Sequence, residues 1–332
     1  YATRTPDWQV PDEPAHYNYI RQVVDTGELP VIEMGDWDQA YLDVLRSSNF
    51  SPDVTVDIDR LEYEDHQPPL YYLLESVIYR LSDGNLVTMR LFSALIGAGV
   101  IICAWATLRR LFPAQPWLGL SAAAFIAFLP QRLSIMAGVS NDSLAELVAA
   151  LILLVTVDYL VRTPPENQKW WQERTLWLGI LVGLAFLTKT TVYFVAAIAG
   201  LAILFRWWRE KWSLQTALKS IALFAVPALL MGLIWWIHGL QVYGGTDFLG
   251  LQRHNEVVVG QLRTEDYINR ELGGSQRLYW KNLSETPFHR FWCQFDCMAL
   301  PMQHTISRFL VLAMTTDAPG ISLHAVAHRG HC

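Results

Sequence analysis

Three short stretches of the chain hold the residue types that acid–base and anion chemistry require. The first is Pro11-Asp12-Glu13-Pro14-Ala15-His16, which leads into a segment ended by Gly27. Asp12 and His16 stand four apart, so a helix would put a carboxylate and an imidazole on one face, a general-base arrangement. The same spacing has a structural reading: Asp12 suits an N-cap, Pro14 a first turn and Gly27 a C-cap. The second stretch is Glu62-Tyr63-Glu64-Asp65-His66-Gln67-Pro68-Pro69-Leu70. Its paired prolines open a helix, and helix N-termini attract anions. A protonated His66 there would add positive charge for a lipid phosphate, with Gln67 beside it. The third stretch is Ser140-Asn141-Asp142-Ser143-Leu144-Ala145-Glu146. Ser143 with Glu146 fits a capping box, and Asn141 or Asp142 could cap instead. Lys189 stands alone between two apolar runs. A lone cation there is costly unless solvated or paired, so it is a functional hint set against simple snorkelling.

The elements that would position these groups are membrane helices. Hydrophobic residues make up 52% of the 332, charged residues 17%, and the mean hydropathy is +0.21. That composition belongs to membrane proteins and excludes a disordered chain, a disulfide scaffold or a basic nucleic-acid binder. The net charge of −6 conceals an asymmetry: residues 1–66 carry a net −11, and the rest a net +5. A spanning helix needs about 20 mostly apolar residues. Residues 86–108, 117–136, 144–161, 176–187 continuing at 190–205, and 218–237 supply such runs, and another begins at 305. Lys and Arg favour the cytoplasmic side. The loops around Arg109-Arg110, 162–174 and 206–219 carry 2, 3 and 4 of them, and the alternate loops one each, Arg132 and Lys189.

That alternation places residues 1–85 and 239–304 outside the cytoplasm. Residues 68–81 are too short to span and carry Glu75 and Arg80, but Leu70, Leu73, Leu74, Val77, Ile78 and Leu81 recur at helical spacing. They predict an amphipathic helix at the outer interface. The fold class expected is all-α: a polytopic helical membrane protein with two extracytoplasmic loop regions. Its parts are an acidic first loop (1–67), the interfacial helix (68–85), a transmembrane body (86–238), a second outer loop (239–304) and a truncated span with a tail (305–332). The chain begins without Met, and reads as a fragment or processed chain. Cys293 and Cys297 could share a helix face as a disulfide; with no zinc-like second pair, no metal site is expected.

The segments PDEPAHYNYIRQVVDTGELP, HQPPLYYLLESVIYRL and MRLFSALIGAGVIICAWATLRRLFP, in that order, resemble the GT-C fold membrane glycosyltransferases. The likeness is to bacterial members of the protein O-mannosyltransferase-like superfamily and covers most of residues 8–205. The resemblance implies a sugar donor on a polyprenyl phosphate and a site facing away from the cytoplasm. It implies an inverting transfer to an acceptor hydroxyl on a glycan, lipid or protein, with no cofactor and the question of a divalent metal open. It carries Asp12 onto the acidic residue taken as catalytic base, with Glu13 beside it, and His66 onto the position near the lipid phosphate. Lys189 and Arg132 are further candidates to stabilise the leaving phosphate. His16, Gln67, Asn141 and Asp142 are candidates for substrate binding.

Two other classes fit parts of the pattern. One is a transporter or flippase of lipid-linked sugars, which would favour broken helices and polar groups near the midplane. The other is a non-catalytic membrane protein that binds glycan or lipid. Polar groups gathered at the outer helix ends favour the enzyme.

Overall fold

The structure, a computed structural model, describes residues 1–162, 169–261 and 263–283. Cys293, Cys297 and the segment 305–332 lie outside the described residues. Among the described residues every regular element is helical and no strand occurs. The chain divides into two compact units, Tyr1–Thr264 and Glu265–Cys332. The boundary falls inside the expected second outer loop. The described part of the second unit carries a π-helical turn, Tyr267–Glu271.

In the first unit, α1 (Glu13–Thr26) and α2 (Gln39–Ser47) lie in the acidic N-terminal region. They are followed by α3 (Leu70–Ser82) and α4 (Leu86–Leu111). The paired prolines end the irregular turn before α3, as their missing amide hydrogens require. The apolar run at 117–136 forms two helices, α5 (Pro116–Ala127) and α6 (Pro130–Met136), bent by 64°. Pro130 opens the second of them, so the run expected as one continuous span is broken. Then come α7 (Asp142–Val161), α8 (Arg174–Phe186), α9 (Phe194–Glu210), α10 (Leu214–Tyr243) and α11 (Leu251–Val257). Four helical stretches are long and apolar enough to cross a membrane: Leu86–Leu111, Asp142–Val161, Thr190–Glu210 and Leu214–Tyr243. The bent pair can make a fifth, and α8 is shorter.

α4 packs along α7, and α8 along α10. Gly179 and Gly183, one turn apart on α8, allow the second approach. A Cβ at Gly179 would come within 2.2 Å of the Phe224 carbonyl oxygen, and one at Gly183 within 2.6 Å of the Met231 sulfur. Small residues at this spacing let membrane helices approach closely, because packing replaces the missing hydrophobic drive. Large apolar side chains elsewhere on the spans, such as Leu95, Ile102 and Ile234, stay exposed, as lipid-facing groups do.

The expected amphipathic helix is α3. Its Leu73, Leu74, Val77 and Leu81 are exposed, whereas Tyr71, Tyr72, Glu75 and Ser76 are buried against the protein. The more polar face is thus the one that packs inward. Tyr71 and Ser93 both hydrogen-bond Glu75 Oε1, at 3.2 and 2.8 Å.

The two ends of the bundle differ in charge. At one, Asp158 of α7 receives Arg110 at 2.7 Å, Arg162 at 3.1 Å and Arg174 at 2.5 Å. At the other, the N-terminal region docks. The Leu70 amide donates to the Leu187 carbonyl at 2.9 Å, and the Tyr243 hydroxyl reaches the Ile32 amide at 3.5 Å. All three chemistry-bearing stretches and Lys189 meet at this second end.

Candidate active site

Asp12 precedes α1 in the left-handed conformation, at φ 59°. Its side chain makes no capping hydrogen bond, which overturns the N-cap reading. Left-handed backbone is costly for most residues and milder for Asp, so the position needs outside support. Tyr63 supplies it: its hydroxyl donates to Asp12 Oδ1 at 2.9 Å. Asp12 is reached by solvent, yet protein crowds its carboxyl. That desolvation pushes its pKa up, against the lowering effects of the Tyr63 hydroxyl and the Lys189 charge.

Glu13, the next residue, has another environment. It is fully buried and pairs with Arg90 near the start of α4, with Arg90 Nε at 2.7 Å and an Nη at 2.5 Å. The Val139 and Trp8 amides also donate to its carboxylate, both at 3.1 Å. Every oxygen of Glu13 is therefore engaged within the protein. Glu13, expected beside Asp12 as a catalytic carboxylate, lies in the structure as a buried clamp between α1, α4 and the turn before α7.

His16 does not pair with Asp12 either. Its Nδ1 lies 2.9 Å from the Tyr72 hydroxyl, and Asn141 Nδ2 donates to the same hydroxyl at 3.3 Å. Burial, with Lys189 beside it, pushes His16 down to about 3, so it is neutral. His66 is neutral as well: burial first, then the charge of His254, lowers it to about 3. Its Nδ1 donates to the Tyr63 carbonyl at 3.2 Å, and its ring lies 4.4 Å from that of His254 on α11. Where the sequence suggests a protonated His66, the structure holds a buried imidazole, with no carboxylate in ion-pair contact among the described residues to offset the loss of water. Gln67 sits beside it, with Nε2 3.4 Å from His66 Nε2.

Lys189 supplies the positive charge. Its ammonium, 15% exposed, donates to Asp142 Oδ1 at 2.6 Å. Its charge bears on Asp12, His16, Glu64 and His66 alike. These groups, with Asn141 and Asp142, therefore form one cluster. The capping box expected at Ser143 and Glu146 is absent. Asn141 at the N-cap makes no side-chain cap, and the Asp142 amide bonds the Ser140 hydroxyl at 3.2 Å. Glu146 is instead taken by Arg132 at 2.9 Å. Arg132 also donates to the Gly97 carbonyl at 2.8 Å, which pins the broken span to α4 and α7. It lies outside the Lys189 cluster.

One family model matches, that for dolichyl-phosphate-mannose-protein mannosyltransferase, over residues 66–236. The chain belongs to this family. Membership makes it a membrane glycosyltransferase of the polyprenyl-phosphate-sugar type. No curated protein and no solved structure matches the chain. The segment shared with the mannosyltransferase family runs from the turn before α3 into α10. It includes His66, Gln67, Arg132, Asn141, Asp142 and Lys189. Asp12, Glu13 and His16 precede it, and geometry alone joins Asp12 and His16 to the mannosyltransferase segment.

Sequence reasoning missed Tyr63, Glu64, Tyr72, Arg90 and His254. Arg90 had a signal, a lone cation inside an apolar run. The other four had none, since their partners lie on separate elements. Among the described residues no group of three or more His, Cys, Asp or Glu has a metal-holding arrangement.

Proposed function

We propose that this chain transfers a sugar from a polyprenyl phosphate to an acceptor hydroxyl on the extracytoplasmic side, with Asp12 as general base. One observation carries the reading: a solvent-reached carboxylate, free of any capping role, shares its cluster with a single ammonium at the end of the bundle opposite the arginine-rich one. Acceptor hydroxyls are weak nucleophiles. Asp12 takes the hydroxyl proton as the acceptor oxygen bonds to the sugar's anomeric carbon, and its raised pKa makes it a stronger base. The bond from that carbon to the phosphate oxygen breaks, and its electrons remain on the phosphate. Lys189 has three donors and spends one on Asp142, so it can meet the growing negative charge. An attack opposite the leaving phosphate inverts the anomeric centre. The exposed apolar faces of the spans suit an isoprenoid tail.

The broken α5–α6 span is the one feature that favours a transporter. Its charged group, Arg132, is closed by Glu146 and the Gly97 carbonyl, and offers no free midplane site. Proteoliposomes given radiolabelled decaprenyl-phosphate mannose, glucose, galactose or arabinose, with a cell-envelope glycan extract as acceptor, separate the readings. The enzyme moves label into the glycan from one donor. Label that only crosses the bilayer, or only binds, overturns the proposal.

A further inference from the structure

Glu64 follows the tyrosine that holds Asp12, and no part of the mechanism above uses it. It is buried, and its Oε2 has no hydrogen-bond partner. A buried carboxylate oxygen without a partner is costly if ionised, and much less so as the neutral acid. The groups around it sharpen the problem. From the residue before α1 comes Asp12, from α1 the neutral His16, and from its own turn Tyr63, Asp65, the neutral His66 and the Gln67 amide. α3 contributes Tyr72, α7 Asp142, the segment before α9 Lys189, and α11 His254 beside His66. Arg46 of α2 acts on Asp12 and Tyr63 from further out. Asp12, Glu64 and Asp142 therefore share one ammonium, and Lys189 is already bonded to Asp142. Two carboxyls crowded into such a site do not both ionise. Glu64 is the more deeply buried of Asp12 and Glu64, and burial together with the Asp12 charge pushes it up to about 8.

We propose that Glu64 is a positioning residue for Asp12: it keeps its proton while Asp12 is ionised, so the negative charge rests on the carboxyl that solvent and an acceptor can reach. This rests on the proposed role of Asp12. During transfer the acceptor proton goes to Asp12, and the Glu64 proton is neither gained nor lost. Ionising Glu64 would add a further negative charge near Lys189 and draw its ammonium away from the leaving phosphate.

Infrared difference spectra of the full chain in nanodiscs, titrated from pH 6 to pH 10, test the protonation without any substrate. Subtracting Glu64→Gln from wild type should leave a carboxylic-acid carbonyl band that fades near pH 8. In Asp12→Asn the band should fade at lower pH, because the neighbouring charge is gone. Absence of the band at pH 6, or a titration unmoved by Asp12→Asn, overturns the inference. Should Glu64→Gln fail to insert, the Asp12→Asn minus wild-type spectrum carries the same comparison.

Turnover tests the link to catalysis. Wild-type kcat/KM should fall about tenfold per pH unit above the Glu64 titration, and the Glu64→Gln profile should lose that alkaline fall. A Glu64→Gln profile that still falls in parallel with wild type overturns the positioning role. A correct infrared result with no turnover in wild type places the failure in the proposed transfer activity instead.

Discussion

The Tyr63 hydroxyl and Asp12 Oδ1, 51 residues apart in the chain, are joined at 2.9 Å, and the Asp12 side chain makes no capping hydrogen bond to its own helix. This contact holds a left-handed aspartate in place, and the Lys189 charge acts on the same carboxyl. It also provides a clean substitution. Asn tolerates the left-handed conformation, and its side-chain oxygen can still accept from Tyr63. Asp12→Asn should therefore insert and melt like wild type while losing about 10²-fold or more in turnover. Near-normal turnover in a folded Asp12→Asn protein would remove Asp12 from the chemistry.

Glu13 and Arg90 make the opposite kind of pair, buried on both sides and fully hydrogen-bonded. Removing one partner of such a pair leaves an uncompensated buried charge and costs about 3–5 kcal/mol. Glu13→Ala should lower the unfolding midpoint in detergent sharply. The double variant Glu13→Gln with Arg90→Met should recover part of the loss. Equal midpoints for wild type and Glu13→Ala would contradict the clamp.

The neutral histidines make the fold acid-sensitive. His16 and His66 sit at about 3 in the folded protein, against about 6.5 when unfolded. Between those values the unfolded chain binds more protons, so stability rises with pH up to about 6.5 and is lost as pH falls below it. Each histidine adds up to about 1.4 kcal/mol per pH unit to that slope. Thermal melts from pH 7.5 to pH 5 should show the fall, and His66→Gln should flatten it. An unchanged acid slope in that variant would show that His66 is not held neutral.

Sidedness is open to direct labelling. Val56 is 78% exposed in the N-terminal region, and Gln215 is exposed at the start of α10, near the arginine-rich end. In a cysteine-free background, Val56→Cys should react with an impermeant thiol reagent in intact cells, and Gln215→Cys only after lysis. The reverse pattern would invert the proposed topology.

Much of the bundle could be read from local sequence, because a bilayer acts on composition over about 20 residues at a time. The apolar runs became α4, α7, α9 and α10, and arginines of two of the basic loops gathered around Asp158. The helix formed at Leu70–Ser82, and its Leu73, Leu74 and Leu81 lie on the exposed face. Local patterns failed where partners came from afar. Nothing near Asp12 announces Tyr63, and nothing near Glu13 announces Arg90, 77 residues on. Adjacent carboxylates therefore looked alike in sequence, although one is clamped and the other open. His66 looked like a cation because its neighbours in the chain are acidic, but its charge is set by water lost beneath α11. Hydrogen-bond partners and desolvation depend on which distant surfaces meet, and residue spacing along one element cannot encode that.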